Sequence, residues 1–298
     1  MNIKEGYIDF KGHKTYYRTI GECKGNKKPL LLLHGGPGST HNYFEVLDDV
    51  AKKDDRMLIM YDQIGCGLSY IEGHPEYFTS EVWIEELIAL RKELQIDEVH
   101  ILGQSWGGIM ALLYALDYQP KGVKSYILAS TLPSAKLWET EQYKRIHHMD
   151  KKYQDAIAKA IASGQYDDPV YLEAVDLFMN QYCNPILDEN SHECLTRPKK
   201  SGAESYLIGW GPNEFTPVGT LSDFEVIDRL HEIDTPCLIT SGGNDLCSPT
   251  VAKTMLEGLP HAKWELFENS HHMSFVDEHD RYVDILIKWL NDNDEIIE

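Results

Sequence analysis

The chain has 298 residues, a formal net charge of -20 and a pI near 5.0. Apolar residues make up 42% and charged residues 26%, which is typical of a globular protein and excludes a fibrous or disordered chain. Because acidic residues dominate and Lys and Arg form no long cluster, nucleic acid is excluded as an expected partner.

The N-terminal stretch MNIKEGYIDFKGHK lacks the apolar segment of an export signal. No apolar run in the sequence is long enough to predict a membrane-spanning helix. We therefore expect a cytoplasmic protein that does not associate with a membrane. Apolar and β-branched residues from Tyr7 to Phe10 and from Thr15 to Ile20 predict a β-hairpin at the start of the chain.

Residues 30–129 alternate between short apolar runs and segments with helical spacing. Buried strands are predicted at Leu30–Leu33, Met57–Tyr61, Val99–Leu102 and Ser125–Ala129, and helices at Asn42–Lys52, Ser80–Leu94 and Trp106–Tyr118. Strands that alternate with helices are typical of an α/β protein. We therefore predict a mostly parallel central sheet that is flanked by helices on both faces.

The alternation stops between residues 134 and 224. This segment has helical patterns, such as Glu141–Ala162 and Val170–Gln181, and a polar loop rich in Asn, Asp, Lys and Pro. Alternation resumes with strands at Cys237–Thr240 and Trp264–Phe267 and helices at Thr250–Leu256 and Arg281–Leu290. We therefore predict one core, formed by residues 1–133 and 225–298, with a helical cap of residues 134–224 inserted into it.

The sequence GQSWG at residues 103–107 lies between a predicted strand and a predicted helix. This is the setting of a nucleophile elbow, a strained turn that exposes a serine and needs small residues two positions to either side. A GxSxG pattern by itself occurs often by chance, so its position between strand and helix is what makes it informative. We predict that Ser105 is a nucleophile.

The sequence HGGPG at residues 34–38 follows the strand Leu30–Leu33. A close turn there would direct backbone N–H groups toward the edge of the sheet where the serine is expected. We assign the N–H groups of Gly36 and Trp106 to an oxyanion hole, because such donors stabilise the charge that develops during acyl transfer. A Gly/Pro-rich turn without a chemical role is the alternative interpretation.

An acidic residue is expected after the nucleophile along the chain. Asp245 directly follows the strand Cys237–Thr240, so it would lie at the carboxyl edge of the sheet. Asp223, Asp228 and Asp234 precede that strand and are less well placed. We predict that Asp245 is the acidic member of a catalytic triad, although an Asp in a Gly-rich loop can also simply form a turn.

A histidine is expected after the acid, and the sequence NSHHM at residues 269–273 supplies both His271 and His272. The side chains of adjacent loop residues point in different directions, so the spacing alone does not choose between them. The pair is not expected to bind one metal ion, and no Cys or His spacing predicts a metal site. The six cysteines lack CxxC pairing and are interpreted as reduced thiols.

Five segments together resemble the proline iminopeptidase (prolyl aminopeptidase) family, and most of all its bacterial branch of lactobacillus-type enzymes and prolinases. They are HGGPG, YDQIGCG at residues 61–67, GQSWGG, GPNEF at residues 211–215 and SHHM, and they span nearly the whole chain. The resemblance implies an α/β-hydrolase fold with an inserted helical cap. It also implies a serine peptidase that needs no cofactor and acts on short peptides with a free N-terminus.

The resemblance also implies roles for particular residues. In relatives the catalytic histidine is followed five residues later by an acidic residue, which here is Asp277 and selects His272 over His271. The GPNEF motif places Glu214 as the acid that holds the free amino group of the substrate. Some relatives have a second anchoring acid where Leu246 stands, so the preferred N-terminal residue stays open.

We therefore expect Ser105, His272 and Asp245 to release N-terminal proline, or another small or apolar residue, through an acyl-enzyme. A prolinase that cleaves Pro-Xaa dipeptides and a carboxylesterase of the same fold are alternatives within the enzymes. A binding protein without catalytic activity is the alternative outside them. The sequence does not predict the oligomeric state.

Overall fold

Eight β-strands form one sheet at the centre of the part of the chain that the structure describes. The structure is a computed structural model and describes residues 2–295, so Met1 and residues 296–298 of the predicted core lie outside it. The strands are β1 (Ile3–Phe10), β2 (His13–Ile20), β3 (Leu30–Leu33), β4 (Leu58–Tyr61), β5 (Val99–Gln104), β6 (Val123–Ala129), β7 (Cys237–Gly242) and β8 (Ala262–Phe267). Their order across the sheet is β1-β2-β4-β3-β5-β6-β7-β8.

The sheet is parallel from β4 to β8. Strands β1 and β2 form the predicted antiparallel hairpin, and β2 pairs antiparallel with β4. The chain passes from β3 to β4 on one side and then to β5 on the other side of β3. In open α/β sheets, ligands bind in the crevice that such a reversal creates at the carboxyl ends of the strands. The loops after β3 and β5 meet at this crevice.

Helices cover both faces of the sheet, as the sequence predicts. Within residues 2–295 there are ten α-helices: α1 (Asp48–Lys53), α2 (Ser80–Glu93), α3 (Trp106–Leu113), α4 (Ala135–Ile146), α5 (Lys151–Ser163), α6 (Pro169–Tyr182), α7 (Ala203–Gly209), α8 (Pro249–Gly258), α9 (Ser274–Asp277) and α10 (His279–Asn293). The 3-10 helices of this part of the chain lie at His41–Leu47, Gly67–Ser69, Pro75–Tyr77, Glu193–Leu195 and Ile227–Glu232. No helix of this part of the chain has both the length and the apolar character needed to cross a bilayer.

Alternate residues of the central strands pack into two separate cores. Leu31 and Leu33 of β3 contact the core that includes α2, α3 and α8, whereas Leu30 and Leu32 contact the core that includes α1 and α10. All four leucines are fully buried. A strand buried on both faces needs a continuous apolar run, which is why the LLLL sequence forms the centre of the sheet.

Some predicted helices differ in form from the helices of the structure. The predicted helical segment Glu141–Ala162 is two helices, α4 and α5, which are separated by residues 147–150. Asp150 has a ψ of 143°, which is an extended conformation, so one helix cannot continue through it. The predicted helix Trp106–Tyr118 also changes along its length, from α-helix to a π-helical turn at Tyr114–Tyr118.

The two ends of the predicted cap segment lie side by side. Ser134 and Glu225 form an isolated antiparallel bridge, and the N–H of Val226 donates to the carbonyl oxygen of Pro133 at 2.9 Å. The chain therefore leaves the core and returns to it at neighbouring positions. These contacts agree with a cap of residues 134–224, but the division into core and cap stays a prediction.

The buried side chain of Glu86 holds the loop that follows β4. Glu86 of α2 accepts hydrogen bonds from the N–H of Ile64, with both oxygens at 2.9–3.0 Å, and from the hydroxyl of Thr15. Burial raises the pKa of Glu86 to about 8, although these hydrogen bonds oppose the shift. The loop at residues 61–67 is thus tied to a group that can change its charge near neutral pH.

We expect ionisation of Glu86 to lower the stability of the protein as the pH rises from about 5 to about 8. The unfolded carboxyl ionises near pKa 4.5 and the folded one near 8, so the folded state binds more protons in this window. The resulting slope is at most about 1.4 kcal/mol per pH unit. Thermal unfolding of the wild type and of Glu86→Gln across this pH range measures it. The variant should show the flatter dependence, and parallel curves would contradict this role of Glu86.

Candidate active site

Ser105 lies at the turn between β5 and α3. Its φ of 54° and ψ of -120° are strained for a residue with a side chain. The turn is also tightly packed, because a Cβ at Gly103 would overlap the backbone of Gly107, and a Cβ at Gly107 would overlap the carbonyl oxygen of Leu33. These contacts are the physical reason for the glycines of the GQSWG motif, and they agree with the predicted elbow.

Ser105 borders a cavity of about 480 Å³ at the carboxyl ends of β3 and β5. This volume is typical of a site for a small molecule. The cavity is lined by the loop at residues 36–40, by Gln104 and Ser105, by His272 and Met273, and by residues 179, 183, 199, 201–203, 206, 207, 211, 212 and 214 of the predicted cap. The elbow, the loop after β3 and the predicted cap therefore enclose one space.

The buried carboxylate of Asp245 joins loops from three strands. Its Oδ1 accepts hydrogen bonds from Nδ1 of His272 at 2.6 Å and from the N–H of Cys247 at 2.9 Å. Its Oδ2 accepts from the hydroxyl of Ser130 at 2.6 Å and from the N–H of Gly242 at 2.9 Å. An ionised carboxylate can only accept, so the proton of a neutral His272 ring must be on Nδ1. Its Nε2 is then left to accept a proton.

The two adjacent histidines face different partners. Nδ1 of His271 lies 2.8 Å from the carbonyl oxygen of Asn184, so this ring points away from Asp245. His272 is buried and borders the same cavity as Ser105. The structure thus brings His272, and not His271, to the Asp245 carboxylate, and it places His272 on the cavity that Ser105 borders. Within residues 2–295 the hydroxyl of Ser105 forms no hydrogen bond with the His272 ring, and the catalytic roles stay predictions.

The predicted oxyanion donors are unpaired in the described residues. Gly36 has a φ of 112° and borders the cavity. A Cβ there would lie 2.6 Å from the nitrogen of Gly38, so a side chain is not tolerated. Trp106 is the first residue of α3, where a backbone N–H has no acceptor within the helix. Neither N–H donates to a protein group in residues 2–295, and the oxyanion hole stays a prediction.

Two glutamines hold the loop after β3 against the elbow. Gln63 donates to the carbonyl oxygen of His34 at 2.9 Å and accepts from the indole N–H of Trp106 at 2.8 Å. Gln104 accepts from the hydroxyl of Tyr43 at 2.8 Å. Both glutamines lie within conspicuous motifs of the sequence, but the sequence predicted no role for them. Gln104 also donates to the carbonyl oxygen of His272 at 3.3 Å. The partners of the two glutamines are therefore 29 to 168 residues away along the chain, and no local pattern reveals such pairs.

Glu214 is the one acidic side chain among the cavity-lining residues of the described chain. Tyr206 donates its hydroxyl hydrogen to Oε1 of Glu214 at 2.7 Å, and the indole of Trp138 donates to the Glu214 carbonyl oxygen at 2.9 Å. Burial raises the pKa of Glu214, while the Tyr206 hydrogen bond and the nearby His272 oppose the shift. A partly buried carboxylate of this kind is stabilised by a bound cation.

The described residues do not form a recognisable metal-binding site. Within residues 2–295 no group of three or more His, Cys, Asp or Glu side chains is placed to bind an ion. All six cysteines lie in this range and are free thiols. The groups that converge on the cavity are instead a hydroxyl, an imidazole, a carboxylate and backbone N–H donors, which together suit nucleophilic acyl transfer.

Known proteins resemble this chain over nearly its full length. Residues 28–169 match the family described as alpha/beta hydrolase fold. The chain is 60% identical to a proline iminopeptidase of Clostridioides difficile and 51% identical to one of Lactobacillus helveticus, and each alignment covers 99% of this chain and 100% of the relative. The crystal structure of a Mycobacterium smegmatis proline iminopeptidase covers 98% of this chain and 99% of its own, with a TM-score of 0.86 and 26% identity.

A second solved structure, that of VinJ, gives a TM-score of 0.88 at 27% identity and covers 97% of this chain and 99% of its own. These similarities confirm the fold and the family that the five sequence segments predict. They do not test the role of any single residue. The chain belongs to the proline iminopeptidase family of α/β hydrolases.

Proposed function

We propose that the protein is a serine exopeptidase that releases N-terminal proline, or another small or apolar residue, from short peptides. The observation that carries this proposal is the presence of the Glu214 carboxylate in the same cavity as Ser105. The positively charged amine of a free N-terminus would bind there by a charge-assisted hydrogen bond. Similar proteins named proline iminopeptidase support the same class of substrate.

The reaction begins with proton transfer from the hydroxyl of Ser105 to Nε2 of His272. The serine oxygen attacks the first peptide carbonyl, and Asp245 stabilises the imidazolium through its hydrogen bond to Nδ1. The N–H groups of Gly36 and Trp106 bind the oxyanion. The loss of one such donor typically lowers the rate by about 10²- to 10³-fold.

The imidazolium then donates its proton to the leaving amine, and the C–N bond breaks. Water, activated by the same imidazole, attacks the acyl-enzyme and releases the first amino acid. We infer that an amine held at Glu214 presents the first carbonyl to Ser105, because both residues border one cavity and one extended residue spans only about 3.3–3.6 Å.

We also infer the length of the substrate and the cellular location of the protein. The predicted cap contributes much of the cavity lining, and we infer that it restricts entry to short peptides. We also infer a cytoplasmic location, because six free thiols suit a reducing compartment.

The proposed function is tested with proline p-nitroanilide and its N-acetyl derivative. Because acetylation removes the positive charge of the amine, we expect the wild type to cleave only the free compound at an appreciable rate. Ser105→Ala should cleave neither. The measurement is kcat/KM from the release of nitroaniline. Equal cleavage of the two compounds would instead support a carboxylesterase-like enzyme that does not recognise an amine.

The role of Glu214 is tested by Glu214→Gln, which keeps the shape of the side chain and removes its charge. A hydrogen bond to a charged group is worth about 1.5–3 kcal/mol, so kcat/KM for proline p-nitroanilide should fall by about 10- to 100-fold, mainly through KM. Hydrolysis of p-nitrophenyl acetate, which has no amine, should change by less than about threefold. An equal loss on both substrates would show that Glu214 supports the fold rather than the substrate.

A further inference from the structure

The loop that carries Asp245 is held by the predicted cap as well as by the predicted core. The carboxylate of Asp245 bonds only to groups of the core within residues 2–295. Its backbone carbonyl oxygen instead accepts a hydrogen bond from Nη2 of Arg145, which lies in α4. Nη1 of Arg145 donates to the next carbonyl oxygen, that of Leu246, at 3.3 Å. The proposed mechanism gives Arg145 no role.

Other groups of the predicted cap bond to the same loop. Nε2 of Gln142, one turn before Arg145 in α4, donates to the carbonyl oxygen of Leu246 at 2.8 Å. The N–H of Leu246 donates to the carbonyl oxygen of Tyr182, the last residue of α6, at 3.1 Å. The backbone that follows β7 is therefore bonded to two helices of the predicted cap, and a displacement of α4 would break its bonds to both carbonyl oxygens.

The guanidinium of Arg145 is itself held in place. Its Cζ lies 4.4 Å from the centre of the Tyr182 ring, and Nη1 also donates to the side-chain oxygen of Gln142 at 3.0 Å. A planar group with several donors can stack on a ring and bond to separate acceptors at the same time. A lysine at this position would keep the positive charge but lose the planar group that makes these contacts.

Arg145 is a partly buried cation that forms no ion pair within residues 2–295. Its acceptors are the two backbone carbonyl oxygens and the amide oxygen of Gln142. Burial lowers the pKa of Arg145, and the negative charge of Asp245 opposes this shift. Because the removal of a cation from water costs free energy, the carbonyl oxygens and the nearby carboxylate stabilise the guanidinium that holds them. The cation and the Asp245 loop thus stabilise each other.

We propose that Arg145 is a positioning residue for the catalytic triad, and that it fixes the backbone from which Asp245 reaches His272. The proposal rests on the proposed function, because Arg145 acts only through the catalytic role of Asp245. The hydrogen bond between Oδ1 of Asp245 and Nδ1 of His272 is 2.6 Å long, so a shift of the Asp245 backbone would weaken it. Arg145 does not border the catalytic cavity, so its loss should change the rate of acyl transfer and not the binding of substrate.

The test measures Arg145→Met on proline p-nitroanilide and on p-nitrophenyl acetate, which has no amine. We expect kcat to fall by about 10- to 100-fold on both substrates, with KM within about twofold of the wild type, because Asp245 supports the attack of Ser105 on either one. Arg145→Lys, which keeps the charge, should lose less activity. If Arg145→Met does not fold, Arg145→Lys provides the same comparison.

A double-mutant cycle separates positioning from a general contribution to folding. Asp245→Asn keeps the shape of the side chain and removes the charge that stabilises the imidazolium. When it is added to Asp245→Asn, Arg145→Met should lower kcat by less than about twofold, because no functional carboxylate is left to position. A residue that only supports the fold would lower kcat by the same factor in both backgrounds, and that result would overturn the proposal.

Lys136→Met is the matched control, because it removes an exposed positive charge from the same helix. It should behave as the wild type on both substrates. The proposal is also overturned if Arg145→Met is as fast as the wild type while Asp245→Asn is slow. If Asp245→Asn is itself as fast as the wild type, the proposed triad is wrong instead, so the two failures are distinguishable.

Discussion

The geometry of the site depends on the four hydrogen bonds that the buried Asp245 carboxylate accepts. Through them, the loop after β6, which carries Ser130, is joined to the end of β7 and to the loop after β8, which carries His272. A carboxylate without solvent contact must be satisfied by protein donors, so these loops cannot move apart without leaving a charge unpaired. The position and the tautomer of the imidazole follow from the same contacts.

The chemistry of the cavity is general, and its selectivity comes from charge. A nucleophile elbow with an imidazole and unpaired backbone donors can transfer many acyl groups. In the mechanism we propose, Glu214 restricts this chemistry to substrates with a free amine. Glu214 comes from the predicted cap, whereas Ser105 lies on the core. Reaction and selection are thus carried by different parts of the chain.

The parts of the structure that local sequence determines were predicted well. The apolar run Leu30–Leu33 and the GQSWG motif each specify their own conformation, so the sheet and the elbow followed from the sequence. The break between α4 and α5 was not predicted, because one extended residue, Asp150, interrupts an otherwise helical pattern. Contacts such as those of Gln63 and Ser130 join segments 29 to 115 residues apart, and no local pattern encodes them.

The choice between the two adjacent histidines tests the site most directly. Labelling of Ser105 by a fluorophosphonate, located by peptide mass mapping, reports whether the serine is activated. We predict that His271→Ala labels at a rate close to that of the wild type, whereas His272→Ala labels at least about 10³-fold more slowly while it keeps the wild-type thermal unfolding. Rapid labelling of His272→Ala, together with loss of labelling in His271→Ala, would contradict the assignment of His272 as the general base.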